Sequence, residues 1–207
     1  MLENPAVGIA FVVGGYLSGS VSFAILFARR AGVDIREEGS GNPGATNVGR
    51  VLGKRTGRVV LLLDALKGAI PVLAARFALG ADGPTTEGPW NAHAVVAATA
   101  VAATLGHVAP LFHGFRGGKG AATAAGVILA SVPLAGVVAT VTYVVLKKVF
   151  RTASVGSIGG AFVGAAVIPF LATDRAYIIM GAAIFVLVLL RHHENIRRLW
   201  TRKEPES

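Results

Sequence analysis

The chain has 207 residues, of which 53% are hydrophobic and 15% charged, and its mean hydropathy of +0.63 excludes an ordinary soluble domain of this size. Its net charge of +9 does not read as nucleic-acid binding, because the cations gather at the ends of apolar runs instead of along one polar face. Without cysteine it has no disulfide, no thiolate metal site and no thioester-forming nucleophile.

The N-terminal MLENPAVG opens with an acid, and the apolar run behind it is too long for a cleavable signal core, so 6–28 reads as a retained span closed by Arg29 and Arg30. At about 1.5 Å per residue it crosses a hydrocarbon core of roughly 30 Å. A second span is expected at 59–79, with Asp64 and Lys67 three residues apart on one helical face, where they can pair instead of facing lipid. An acidic, Pro/Gly-rich loop (ADGPTTEGPW) separates it from a third span at 92–112.

Beyond the short basic loop HGFRGGKGA, 121–146 reads either as one helix or as two broken near Pro133. Charge decides between them. A single span would carry KKVFR (147–151) and the basic tail RHHENIRRLWTRK away from the glycine loop, against the positive-inside rule. A turn at Pro133 leaves only Arg76 and Arg175, of the 20 Lys and Arg residues, on the far face. The expected fold is therefore an all-α integral membrane protein, one domain over 1–207. It has about seven transmembrane helices, at 6–28, 59–79, 92–112, 121–131, 133–147, 155–171 and 176–190. The short ones are tilted or re-entrant, the N-terminus is outside and the C-terminus cytoplasmic.

Three polar stretches then converge on one face. In GSGNPGATNVGR (39–50), Gly39, Gly41, Gly44 and Gly49 permit unusual backbone, Ser40, Asn42, Thr46 and Asn47 add hydrogen-bond groups, and Arg50 offers a charged fork for phosphate. GSGNPG fits a dinucleotide fingerprint formally, but no strand precedes it and the spans leave no room for a doubly wound sheet. In GHVAPLFHGFRGGKGAAT (106–123), Lys119 sits among glycines, including Gly117 and Gly118, at the foot of an apolar helix, where an ammonium and free N–H groups can act on one anion. His107 reads as a helix-end cap. In RHHENIRRL (191–199), His192 and Asn195 share a helical face suited to orienting a hydroxyl or a water. Adjacent histidines diverge around a helix and H-E-x-x-H is absent, which argues against zinc. Ser154 and Ser157, in RTASVGSI, lie near the same face.

The order GSGNPGATNVGR, DALKG, GHVAPLFHGFRGGKGAAT, RHHENIRRL resembles the PlsY family of bacterial membrane acyltransferases, from the first loop to the C-terminal helix. The resemblance implies transfer of an acyl group from acyl-phosphate to glycerol 3-phosphate, giving 1-acyl-glycerol 3-phosphate and phosphate, the first step of phospholipid synthesis. It implies a multi-pass protein of the bacterial inner membrane, with its site on the cytoplasmic face, no cofactor and no metal. It places Ser40, Asn42, Thr46, Asn47, Arg50, Lys119, His192 and Asn195 around the substrates, with a further serine that is either Ser154 or Ser157. The family spacing H-x-x-N favours His192 over His193. The proton acceptor stays open between His192 and a substrate phosphate. An anion channel is the competing reading, but the only charges inside the spans, Asp64 and Lys67, lie near the motif face.

Overall fold

The computed structural model describes residues 5–82, 91–172, 174–201 and Glu204, and every regular element among them is helical. The acidic loop expected between the second and third spans lies mostly outside the described residues, at 83–90.

The first expected span is two helices, α1 (Pro5–Ser20) and α2 (Phe23–Arg30). Ser22 caps α2 by accepting the Ile25 N–H at 3.4 Å, which deprives the Val21 carbonyl of its helical donor. Lys67 fills the vacancy, its Nζ donating to Val21 O at 2.6 Å. A short α3 (Ala45–Val51) leads into α4 (Lys54–Leu79), which starts five residues before the expected span and ends at Gly80. The third expected span is α5 (Ala92–Val108), then a break at Pro110 and a 3-10 turn over Leu111–His113. The remaining helices are α6 (Ala121–Ser131), α7 (Pro133–Phe150), α8 (Ala153–Leu171), α9 (Arg175–Arg191) and α10 (His193–Trp200). Pro133 occupies the first turn of α7, where its missing N–H removes no helical bond.

Among the described residues, four segments are long and apolar enough to cross a membrane: Pro5–Arg30, Ala92–His113, Pro133–Phe150 and Ala153–Leu171. A fifth forms if α9 and α10 count as one segment across their 57° bend. Helix α4, at 26 residues, has the length, but every stretch of about eighteen of its residues, enough to span a bilayer core, includes three or more charges. Helix α6 has 11 residues, about 16 Å of rise.

The centre of the bundle is packed by Val72, Val96, Val127, Ile128, Met180, Ile184 and Val188, from α4, α5, α6 and α9. Large apolar side chains instead cover the outside, with Phe77, Val149, Phe170 and Ile179 all more than two-thirds exposed, while Asp64 and Lys67 are 2% and 6% exposed. That inversion fits a lipid surround. Helices approach closely through small residues, as membrane helices do. Gly19 of α1 lies against Ala103 of α5, Gly126 of α6 against Ala65 of α4, and Gly156, Gly160 and Gly164 run along α7.

A Cβ on Gly126 would lie 2.1 Å from the Ala65 carbonyl oxygen, whereas one on Gly14 meets nothing within 4 Å. Gly126→Ala should therefore destabilise the protein by about 1–3 kcal/mol, the usual cost of overpacking, and Gly14→Ala should be neutral or slightly stabilising. Thermal unfolding of the two variants in detergent checks the contrast.

Candidate active site

The buried polar layer beneath the loops begins on α4. Asp64 and Lys67 form an ion pair at 2.9 Å, and His107, in the last turn of α5, turns its Nδ1 to within 3.7 Å of the Asp64 carboxylate. His107, expected as a helix-end cap, lies in the last turn of α5 with its ring buried beside Asp64. Ser18 donates to the Lys67 carbonyl at 2.7 Å, and Thr123 of α6 to the Asp64 carbonyl at 2.9 Å. Four helices are therefore pinned together just below the glycine segments.

The first glycine loop is folded around Asn47, which is buried. Its Nδ2 donates to Ile35 O and Glu38 O, and its Oδ1 accepts the Ser40 N–H at 2.8 Å. Gly39 sits at φ +60, and a Cβ there would strike Asn47 Oδ1 at 2.3 Å, so glycine is required on both conformational and steric grounds. Gly41 also has positive φ and donates to Glu38 O. Gly44 precedes α3, with the Asn42 amide beside it. Ser40, Thr46 and Arg50 are exposed. Asn47 is thus the loop's internal tie, while Ser40, Thr46 and Arg50 face outward from it.

The second loop uses its glycines differently from the expectation. Gly117 and Gly118 do not display their N–H groups; they donate them to Val108 O and His107 O at the end of α5. A Cβ on Gly117 would lie 2.0 Å from His107 O, and one on Gly118 2.3 Å from His107 Nε2 and 3.0 Å from Pro43 O of the first loop. Their carbonyls accept from Arg191, Gly117 O at 3.0 Å and Gly118 O at 3.3 Å. The N–H and C=O groups of both glycines are engaged, and their effect is to place Lys119. Arg36 links the two loops from the other side, donating to His113 O and Arg116 O.

Lys119 Nζ donates to Asn195 Oδ1. The 57° bend between α9 and α10 lies at His192 and turns Asn195 toward that lysine. His192 is buried, and its Nδ1 lies 2.7 Å from Val188 O. A carbonyl can only accept, so Nδ1 carries the proton and Nε2 keeps a lone pair. Burial, with the neighbouring Lys119 charge, pushes the His192 pKa down to about 4 against the opposing pull of the Val188 carbonyl. The imidazole is neutral at physiological pH. Burial also lowers the Lys119 pKa, and the nearby Arg198 charge adds to the shift.

Asn195 Nδ2 and Ser154 Oγ both donate to the Glu204 carboxylate, and Arg198 Nε reaches its other oxygen at 2.8 Å. Enclosure alone would raise the Glu204 pKa, but the hydrogen bonds from Arg198, Asn195 and Ser154 hold it below the ordinary carboxylate value. Ser154 is buried in this cluster, and Ser157 lies one turn further along α8, half-buried. Lys119, His192, Asn195 and Ser154 are thus drawn together, with the first loop adjoining them through Pro43 and Gly118. Sequence reading missed Arg191 as the brace of the lysine loop, Arg198 as a charge in the cluster, and Glu204 altogether. Both arginines stood inside RHHENIRRL, whereas Glu204 follows a basic run with no pattern to mark it.

Residues 9–202 match the family model described as glycerol-3-phosphate acyltransferase. The chain is 44% identical over 198 residues to a glycerol-3-phosphate acyltransferase of Thioalkalivibrio sulfidiphilus, covering 95% of this chain and 92% of that one. A second relative of the same description, from Myxococcus xanthus, is 46% identical over 94% of this chain and 97% of its own. The fold is similar to a crystal structure of PlsY, an integral membrane glycerol 3-phosphate acyltransferase, in its glycerol 3-phosphate form. The TM-score is 0.89 at 37% identity, over 97% of this chain and 96% of the other. The lysophosphatidic acid form of PlsY matches with a TM-score of 0.86 at 36% identity, over 97% and 95% of the two chains. With a cluster of Lys119, His192, Asn195 and Ser154 at one end of an apolar helical bundle, the chain belongs to the glycerol-3-phosphate acyltransferase family of integral membrane proteins.

Proposed function

We infer that this protein transfers an acyl group from acyl-phosphate to glycerol 3-phosphate at the cytoplasmic face of a bacterial inner membrane. The observation that carries the reading is the junction of Lys119, Asn195 and a neutral, buried His192 in one cluster, in a chain of this family. Seven membrane segments, with the N-terminus outside, account best for the cations. In that arrangement the sequence assigns every Lys and Arg but Arg76 and Arg175 to the cytoplasmic side. Helix α6 is then a half-length segment covered by its neighbours, and Asp64 and Lys67 of α4 are held inside the bundle.

An acyl-phosphate is a mixed anhydride whose leaving group is already good, so the protein's task is to hold two anions together and to offset their charge. The glycerol 3-phosphate hydroxyl attacks the acyl carbon, a carbon–oxygen bond forms, the bond to the phosphate oxygen breaks, and the phosphate departs. Lys119 offsets the charge that gathers on the acyl and leaving oxygens, and Arg50, exposed on α3, holds the second phosphate. The hydroxyl proton passes to the Nε2 lone pair of His192, whose Nδ1–H is anchored on Val188 O. Asn195 orients the reacting groups beside Lys119. The acyl chain lies between helices, where small residues leave grooves.

Purified protein should release inorganic phosphate only when acyl-phosphate and glycerol 3-phosphate are both present. Lys119→Ala should lower kcat about a hundredfold or more, the usual loss when one positioned charge-stabilising group is removed. Arg50→Ala should act chiefly on glycerol 3-phosphate KM. Arg175→Ala is the far-side control; Arg76 is unsuitable because its guanidinium bonds Ala130 O at the end of α6 and pairs with Asp82. Full turnover in Lys119→Ala would remove the site assignment.

The state of His192 is checked separately. Its Cε1–H resonance, assigned by comparison with His192→Asn, should keep its neutral position from about pH 8 down to about 5, because a group of low pKa stays deprotonated until the pH nears that value. It should move only near the pKa of about 4. A midpoint near 6.5, the value for an unperturbed imidazole, would overturn the buried-acceptor role.

A further inference from the structure

Helix α6, with 11 residues, is about half the length that crosses a bilayer core, and its C-terminal end is buried. Its last helical bond runs from the Val132 N–H to Ile128 O at 2.8 Å, and Pro133, which has no N–H, opens α7 directly behind it. Carbonyls of the last turn are thus left without helical donors in a buried turn, where an unmet acceptor is costly. Arg76, in the last turn of α4, meets two of them. Its Nη1 donates to Ala130 O at 2.9 Å and to Ser131 O at 3.3 Å, while Nε and Nη2 rest on Asp82 Oδ1 at 2.7 and 2.6 Å. The Ser131 hydroxyl takes no part, being buried without a hydrogen-bond partner among the described residues. Asp82 is exposed, so the clamp runs from the surface to the helix break.

The other end of α6 is continuous with the lysine loop, Lys119 standing two residues before Ala121, where the helix begins. Between the two ends α6 lies on α4 without slack. Thr123 Oγ1 donates to Asp64 O at 2.9 Å, and Cβ atoms on Gly68 and Gly126 would strike Thr123 and Ala65 at 2.8 and 2.1 Å. We propose that Arg76 is a positioning residue for Lys119: it fixes the height of α6 along α4, and with it the height at which the lysine is presented. The role of Lys119 itself rests on the acyltransferase reading. A helix about 16 Å long moves as a rod, so slack at Ser131 is felt at Lys119. A shift of about 1 Å in a reacting group costs about a hundredfold in rate. Arg76 therefore acts on turnover from the opposite end of α6, where charge asymmetry alone would make it only an orientation signal.

The test uses the full-length protein in detergent, with Arg175→Ala as the matched loss of a charge outside the clamp. Arg76→Ala should lower kcat about tenfold and leave the KM for glycerol 3-phosphate within about twofold, because the lysine is displaced while substrate binding is kept. Arg76→Lys should retain most of the parental kcat. Guanidinium ion, well below denaturing concentration, should restore part of the turnover of Arg76→Ala, whereas a merely loosened fold would be weakened further by it. Backbone amides over 121–131 should exchange with deuterium about tenfold faster in Arg76→Ala, and at the parental rate in Arg175→Ala. Unchanged kcat in Arg76→Ala overturns the proposal. So does a loss that neither lysine nor guanidinium restores, which would make bulk at position 76 the cause. Should Arg76→Ala not fold, Asp82→Asn decides, since it keeps the guanidinium but removes its hold. It should speed exchange over 121–131 and lower kcat about threefold, and a parental kcat there overturns the proposal. Exchange does not depend on turnover. Faster exchange in a protein whose parent transfers no acyl group would keep the clamp and reject the reaction, whereas acyl transfer at equal kcat would reject the positioning role alone.

Discussion

The structure depends on the way α4 carries two charges through an apolar bundle. Asp64 and Lys67 are nearly fully enclosed, and in such surroundings an unpaired charge is far more costly than a pair. The pair does more than neutralise itself. Lys67 supplies the donor that Val21 O loses where α1 ends, Ser18 returns a bond to the Lys67 carbonyl, Thr123 bonds the Asp64 carbonyl, and His107 stands over the carboxylate. The carbonyl that the α1–α2 break opens at Val21 is thereby satisfied inside the bundle, as a lipid surround demands. The break between α1 and α2 and the charges on α4 are thus one device, each making the other tolerable.

That device sits directly beneath the glycine loops and explains the form of the second one. The GGKG backbone caps α5 with two N–H bonds and accepts Arg191 on its two carbonyls. His107 and Pro43 leave no room for a side chain at Gly118. Glycine here serves close approach, and what the loop presents is the ammonium of Lys119. In the first loop the positive-φ glycines wrap the chain around Asn47. Both loops are small folded units that hold side chains in place, which is a more exact positioning device than a flexible cradle of free N–H groups.

Much of this was legible before any coordinates. The three polar stretches, Lys119, the His192–Asn195 face and the Asp64–Lys67 pair follow from residue chemistry, helical spacing and charge asymmetry. The break of the first span was not, because Val21 and Ser22 lie in an apolar, small-residue run without proline, and the donor that makes the break possible is 46 residues away. The roles of Gly117 and Gly118 were misjudged for a related reason. A sequence shows that a backbone N–H exists, but which acceptor consumes it is a question of tertiary geometry. Glu204 illustrates the limit most clearly: one acid in a basic tail carries no pattern, and only folding brings it to Ser154, Asn195 and Arg198.

The charges around the cluster also bear on how a proton acceptor can work there. Lys119, Arg191 and Arg198 all crowd the junction of α9 and α10, and a positive field of this kind opposes protonation of any nearby base. For His192, burial and the Lys119 and Arg191 charges together outweigh the Val188 carbonyl and Glu204 and keep the ring neutral. Such a base is weak while the Lys119 and Arg191 charges oppose its protonation. Two bound phosphates would reverse the sign of the field and raise the basicity of Nε2 at the moment a hydroxyl is presented to it. On the proposed mechanism, the cations that would hold the substrates and the histidine that would receive the proton are coupled through the substrates' own charge, and the base would gain strength in the filled site.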